Sequence, residues 1–150
     1  RDNGDIVKRM VEEGHIVGNH GNSHADLSTL SSDEIKGEIA DFELSYKEVM
    51  GTEYTDCFFR PASGTFTEEA LYIADELDYT PVFWSLAYKD WDVNDQIGKG
   101  GAYDRIMRSV HPGCILMLHT VSQSNVEALN DVIADLKEQG YVFKSLNDFS

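Results

Sequence analysis

The chain has 150 residues, enough for one domain with a sizeable core. Its 12 Lys and Arg against 27 Asp and Glu leave a formal charge of −15, a surface that repels phosphate backbones and argues against nucleic acid as a partner. No apolar run is long enough to cross a bilayer, and no signal peptide is visible, although the opening Arg1-Asp2-Asn3-Gly4 reads as the lead-in to a helix within something longer.

Helical and strand patterns alternate from end to end. Ile6, Val7, Met10 and Val11 make one helical face, stopped by Gly14, and His15 to Val17 reads as a short buried strand. The small, polar stretch Gly18-Asn19-His20-Gly21-Asn22-Ser23-His24-Ala25-Asp26-Leu27 follows as a loop. Ser31 and Glu34 form a capping box that opens a long helix with the stripe Ile35, Ile39, Phe42, Tyr46 and Val49, ended by Gly51. Cys57 to Phe59 is the next strand and runs into Arg60-Pro61-Ala62-Ser63-Gly64. Thr65 and Glu68 cap a helix with Leu71, Ala74 and Leu77 inside. Pro81 to Leu86 is a strand, with proline at its start where no ladder donor is needed.

A polar loop from Ala87 to about Gly101 carries Asp90-Trp91. Tyr103, Ile106 and Val110 mark a helix that stops before Pro112-Gly113, and Cys114 to Leu118 is a strongly apolar strand that delivers His119. Ser124 and Glu127 cap the last long helix, with Leu129, Val132, Ile133 and Leu136 inward and Gly140 at its end, and Tyr141 to Phe143 is the final strand. Cys57 and Cys114 each sit in an apolar run and read as buried free thiols.

Short strands that are apolar on both faces, alternating with helices, predict an α/β protein with a parallel sheet covered by helices. A TIM-like barrel and a doubly wound sheet both fit; few strands are visible for a closed barrel of eight, so the sheet is open or strands lie upstream. With no internal repeat and no interdomain linker, residues 1–150 read as part of one domain. In either architecture sites form at the carboxyl ends of strands. Those ends carry His20 and His24, then Arg60 to Gly64, then Asp90 and Trp91, then His119. A purely structural scaffold has no reason to place reactive residues there repeatedly.

Each position has a plain reading beside a chemical one. Two imidazoles so spaced close on one divalent metal if the loop curls back, yet the same spacing occurs in histidines satisfied by ordinary hydrogen bonds. The pair is short of a protein ligand, usually an Asp or Glu, and Asp26 suits a cap for the next segment as well as it suits a metal. His119 is a core residue with a backbone partner, or a general acid whose other ring nitrogen Asp90 holds. Arg60 is an exposed ion pair, or a fork that orients a carboxylate. Gly64 allows a tight turn whose amides could face an oxyanion, and Trp91 is core or a sugar-stacking wall. His15 and His111, at a strand start and a helix end, are set aside.

With these residues in view the chain resembles the polysaccharide deacetylases, the NodB-homology domain of carbohydrate esterase family 4. The resemblance spans essentially the whole chain and rests on four motifs in family order: His20-Gly21-Asn22-Ser23-His24, Arg60-Pro61-Ala62-Ser63-Gly64, Asp90-Trp91 and Met117-Leu118-His119. Within the family the chain is most similar to the delta-lactam-biosynthetic de-N-acetylases, through Val82-Phe83-Trp84-Ser85-Leu86-Ala87, His111-Pro112-Gly113 and Phe143-Lys144-Ser145-Leu146. Those enzymes remove acetyl from N-acetylmuramic acid in spore-cortex peptidoglycan. Gly21 stands where the family usually has Ser or Thr, Ser63 where an aromatic or basic residue is common, and Met117 in place of Leu. The family's first motif, Thr-Phe-Asp-Asp-Gly, which supplies the general base and a third metal ligand, has no counterpart here. The resemblance therefore implies a distorted (β/α) barrel of the polysaccharide deacetylase type, N-terminally truncated.

It also implies a function, metal-dependent removal of N-acetyl groups from an amino sugar of peptidoglycan at the cell envelope. A divalent ion, Zn²⁺ first among candidates, is expected at His20 and His24 with an absent Asp. Arg60 is expected to orient the base, the Ser63 backbone N–H to face the oxyanion, and His119, tuned by Asp90, to protonate the leaving amine. Trp91 and Leu118 are expected to wall the acetyl pocket. By itself the chain is expected to bind metal weakly and turn over little. Its raw sheet edge is expected to be covered by a partner chain, a domain swap or an upstream segment. The rival expectation is a non-catalytic relative that holds glycan through Trp91.

Overall fold

A computed structural model of the chain describes residues 3–149. It falls into two compact units, one ending at Phe83 and one beginning at Trp84. Among the described residues no helix is long and apolar enough to cross a membrane.

The first unit opens with α1 (Gly4–Glu12), whose Ile6 and Met10 remain largely exposed. His15 to Val17, expected to be a buried strand, is extended without strand pairing, and His15 is exposed. The pairing begins two residues later, where Asn19 bridges Phe59 in parallel. A single 3₁₀ turn (Leu27–Thr29) leads to α2 (Ser32–Met50). Its start is the expected capping box between Ser31 and Glu34, and its end is Gly51 at φ 75°, where the left-handed region is free of Cβ strain.

Strand β1 (Phe58–Phe59) pairs in parallel with β2 (Thr80–Pro81), through the Thr80 N–H to Cys57 O and the Val82 N–H to Phe59 O. Between them lie a 3₁₀ turn (Ala62–Gly64) and α3 (Glu68–Glu76). The order across this part of the sheet is therefore the Asn19 segment, β1, β2. Phe59, Ile35, Ile39, Leu27, Ile73, Ala70, Ala74 and Tyr79 make the core. In α3 the inward residues are Ala70, Ile73 and Ala74, so Leu77, expected inside, is 41% exposed. Cys57, expected to be buried, is also exposed, one residue before β1 begins.

In the second unit Leu86 bridges Leu116 in parallel, with the Met117 N–H donating to Leu86 O. Helix α4 (Gly98–Met107) packs on α5 (Gln123–Glu138) through Ala102, Ile106, Ala128, Val132 and Leu136. Leu129, expected inward, is 41% exposed, because the inward row of α5 runs 128, 132, 136. His111 lies beyond the end of α4 rather than on its last turn. Tyr141 to Phe143, expected to be a strand, forms none, and Val142 is 78% exposed. Cys114 is only half-buried.

Candidate active site

The first cluster is built on the segment that pairs with β1. Asn19 is fully buried, and its backbone exchanges bonds with Phe58 O (2.8 Å) and the Arg60 N–H (2.9 Å). Its side chain donates to Ile39 O (3.1 Å) and faces the Tyr79 hydroxyl (3.0 Å), while its Oδ1 accepts from the Gly21 N–H (2.9 Å). The chain is thereby pinned on both sides of His20. The His20 Nδ1 lies 2.5 Å from Arg60 O. A carbonyl can only accept, so Nδ1 carries the proton and Nε2 is the lone-pair nitrogen, the tautomer that a metal ligand needs.

His24 reaches back toward it, at φ 61°, an uncommon conformation for a residue with a Cβ. The two ring centroids are 5.1 Å apart at an interplanar angle of 85°. Two imidazoles sharing one tetrahedral ion would place their centroids about 5 Å apart, given Zn–N bonds of ~2.0–2.1 Å. The spacing of the pair and the tautomer of His20 therefore fit a divalent metal. Among the described residues no group of three or more His, Cys, Asp or Glu side chains is placed to hold one. Asp26 is committed elsewhere: it caps the 3₁₀ turn, accepting from the Ser28 hydroxyl (2.7 Å), the Ser28 N–H (3.0 Å) and the Thr65 hydroxyl (2.8 Å). Those bonds, the Ser28 hydroxyl foremost, hold its carboxyl below the ordinary value.

The residue that shapes this loop went unsuspected in the sequence. Glu38, on α2 one turn after the buried Ile35 and next to Ile39, accepts from the Asn22 N–H (3.0 Å), the Ser23 N–H (2.8 Å) and the Ser23 hydroxyl (2.6 Å). Burial pushes its carboxyl up, but the bonds from the Ser23 hydroxyl and the Ser23, Asn22 and Ala25 amides outweigh it, and the net direction is down. A Cβ at Gly21 (φ 77°) would meet Glu38 Oε2 at 3.0 Å, which accounts for glycine at that position.

Arg60 leaves β1 half-buried, and among the described residues its guanidinium has no hydrogen-bond or ion-pair partner. Desolvation lowers its pKa. The turn after it holds Ser63 at φ 55°, exposed. Its two turn bonds are Gly64 N–H to Pro61 O and Thr65 N–H to Ala62 O, and among the described residues the Ser63 N–H has no acceptor.

The second cluster belongs to the second unit. Asp90 is 3% exposed, and its carboxylate takes three donors. Its Oδ1 accepts from His119 Nδ1 (2.7 Å); its Oδ2 accepts from the His119 N–H (2.7 Å) and from Asn125 Nδ2 (2.6 Å). A carboxylate so deep needs such partners, and the first turn of α5 adds a favourable dipole. His119 is half-exposed, with Trp91 edge-on at 5.8 Å between ring centroids. Trp91 is 54% exposed, and Leu118 is half-buried against the α4–α5 core. Gln96 ties the Asp90 loop to α5: its amide donates to Asp92 O (2.8 Å) and Asp90 O (3.3 Å), and its carbonyl accepts from the Ser122 hydroxyl and the Ser124 N–H. Asn125, Gln96 and Ser122 carried no signal in the sequence, since polar residues beside a helix start read as caps.

A family model described as polysaccharide deacetylase matches residues 1–82, and the chain belongs to that family, the family 4 carbohydrate esterases with their NodB-homology (β/α) fold. It is 45% identical to the peptidoglycan-N-acetylmuramic acid deacetylase PdaA of Bacillus subtilis, over 99% of this chain and 56% of that protein. An uncharacterized 30.6 kDa protein of Geobacillus stearothermophilus is 51% identical over 96% of this chain and 54% of its own length. The solved structure of PdaA, a family 4 carbohydrate esterase, matches at a TM-score of 0.92 over 98% of this chain and 62% of that one. A Bacillus anthracis family 4 pseudoenzyme matches at 0.81 and 33% identity, over 93% and 48%. The chain thus spans about half the length of the curated relatives it matches.

Proposed function

We propose that this chain serves a metal-dependent N-deacetylase that hydrolyses the N-acetyl group of an amino sugar in peptidoglycan, N-acetylmuramic acid first among the candidates. The observation that carries the reading is the buried Asp90 carboxylate bonded to both the ring and the backbone of His119. An acceptor on Nδ1 fixes the imidazole so that Nε2 is the nitrogen presented for proton transfer. In this reading His119 gives its Nε2 proton to the amide nitrogen as the C–N bond breaks, which releases the free amino sugar and acetate.

His20 and His24 would hold a divalent ion, Zn²⁺ by donor type, together with a carboxylate outside the described residues. Such an ion, when bound, supplies Lewis-acid polarisation and an acidified water. Arg60, half-buried and unpaired among the described residues, would orient the carboxylate base that the family carries in its Asp-Asp motif. The Ser63 N–H would donate to the developing oxyanion, a contribution of about 3 kcal/mol for such a donor. Trp91 and Leu118 would line the acetyl group's surroundings. The substrate would put the reaction at the cell envelope.

The test is acetate release from peptidoglycan by the full-length protein, before and after metal chelation. We expect release that chelation abolishes and Zn²⁺ restores, with His119→Ala reducing it by about 10²–10⁴-fold. Release that survives both treatments would overturn the mechanism. A second reading, a glycan-binding relative without turnover, is favoured by the similarity to a pseudoenzyme and by the exposed Trp91. Glycan binding with no acetate release under any metal would select it.

A further inference from the structure

We propose that Asn125 is the positioning residue of the acid couple, and that Tyr88 fixes it in turn, so that a line Tyr88–Asn125–Asp90–His119 sets the orientation of the His119 ring. The inference rests on His119 acting as the acid, but it is argued from different atoms. Asp90 has two oxygens to place, and only Oδ1 meets the His119 ring. Oδ2 is held by the His119 N–H and by Asn125 Nδ2, from opposite ends of the loop-to-helix connection. Without Asn125 the carboxylate keeps one backbone donor on Oδ2 and gains freedom to rotate about its Cβ–Cγ bond.

The orientation of the Asn125 amide is itself forced. An ionised carboxylate only accepts, so the Asn125 atom beside Asp90 must be the NH₂. Its Oδ1 therefore faces the Tyr88 hydroxyl, which donates to it. Burial first, and then the charge of Asp90, push the Tyr88 phenol up, which keeps it a donor through the neutral range. Tyr88 packs against the α4–α5 core, and Asn125 is 4% exposed in the first turn of α5. Ser122 caps that turn through the Asn125 N–H (3.3 Å), and the Ser122 N–H bonds His119 O (3.1 Å). The line is therefore anchored in a helix start and shielded from water, where a hydrogen bond holds geometry best. Asp90 and Asn125 in its middle are buried, Tyr88 at one end is half-buried, and the His119 ring at the other is half-exposed.

The test uses the full-length protein with ¹⁵N-labelled histidine. The reporter is the low-field Nδ1 proton of His119, assigned by its loss in His119→Gln. In Asn125→Leu we expect that resonance to shift or broaden and kcat to fall about tenfold or more, with KM within about twofold, a part of the 10²–10⁴ that a placed general acid contributes. Tyr88→Phe should move the same resonance by less. A folded Asn125→Leu protein with the resonance and kcat unchanged overturns the proposal, as does a fall in kcat with the resonance unmoved. If Asn125→Leu does not fold, an unmoved resonance in Tyr88→Phe overturns it alone. Should His119→Gln keep its activity, the acid assignment fails while a shifted resonance still supports the positioning role; an active His119 with an indifferent Asn125 fails only the inference.

Discussion

Glu38 commits one carboxylate to the loop that carries both imidazoles, and this gives a pH dependence with a definite sign. Its folded-state value lies below the ordinary 4.5, so the clamp is fully present above that value and is lost as pH falls through the lower folded-state value. Glu38→Gln should therefore destabilise the protein at about pH 7, and the difference from the wild type should shrink as pH falls below the ordinary carboxylate range. Denaturant midpoints of the two proteins across that range check it; a gap that persists in acid would show that charge is not what Glu38 contributes.

The contrast with the motif residues shows what a sequence discloses at this scale. His20, His24, Arg60, Asp90 and His119 announce themselves because they gather at or just beyond the ends of predicted strands and have few structural reasons to be there. Glu38 and Asn125 do not, because Glu38 is one of many carboxylates along α2 and Asn125 is a polar residue in the first turn of α5, where an amide reads as part of a cap. Their partners are 15 to 35 positions away, a relation that only the packed chain creates. Asp26 fell between the two, since the sequence left it as a cap or a metal ligand and its bonds to Ser28 decide for the cap.

At the level of elements, helix starts were misplaced by two residues in both α3 and α5. Thr67, not Thr65, caps α3 by accepting from the Ala70 N–H (3.1 Å), while the Thr65 hydroxyl turns to Asp26. Ser122, not Ser124, caps α5, while the Ser124 hydroxyl accepts from the Gly98 N–H at the start of α4. Each pair offers two hydroxyls to one helix end, and the tertiary partner of the other decides between them. Thr67→Ala should cost about 1 kcal/mol, with the loss read as a lowered denaturant midpoint at unchanged slope. Thr65→Ala should leave α3 intact by far-ultraviolet circular dichroism.

Helix phase erred for a related reason. Alanines at 70, 102 and 128 are almost fully buried, and a search for large apolar residues passes over them, whereas Ala74 was expected inside and is. Strand positions were found more readily than strand lengths. The apolar runs at 57–59, 81–86 and 114–118 all contain pairing, but it spans two residues or a single bridge in each.

For the molecule as a whole, the formal charge of −15 lies on a surface whose ion pairs, among the described residues, are mostly exposed and local. Such pairs contribute little, so mutual repulsion among carboxylates should dominate the response to salt. The Tm is expected to rise as ionic strength goes from about 0.01 M to about 0.2 M, where the screening length shortens from ~30 Å to below ~10 Å. A flat or falling Tm in differential scanning calorimetry would mean that the pairs outweigh the repulsion. The α/β class and the family were readable from four short motifs in order. The division at Phe83 was not, because no glycine-rich or proline-rich linker marks it.

The edge-on approach of the Trp91 indole to the His119 ring has an optical consequence. With Trp84 replaced by Phe, the remaining tryptophan emission comes from an indole in contact with that ring, so the protein carries its own reporter of the site, readable without label or substrate.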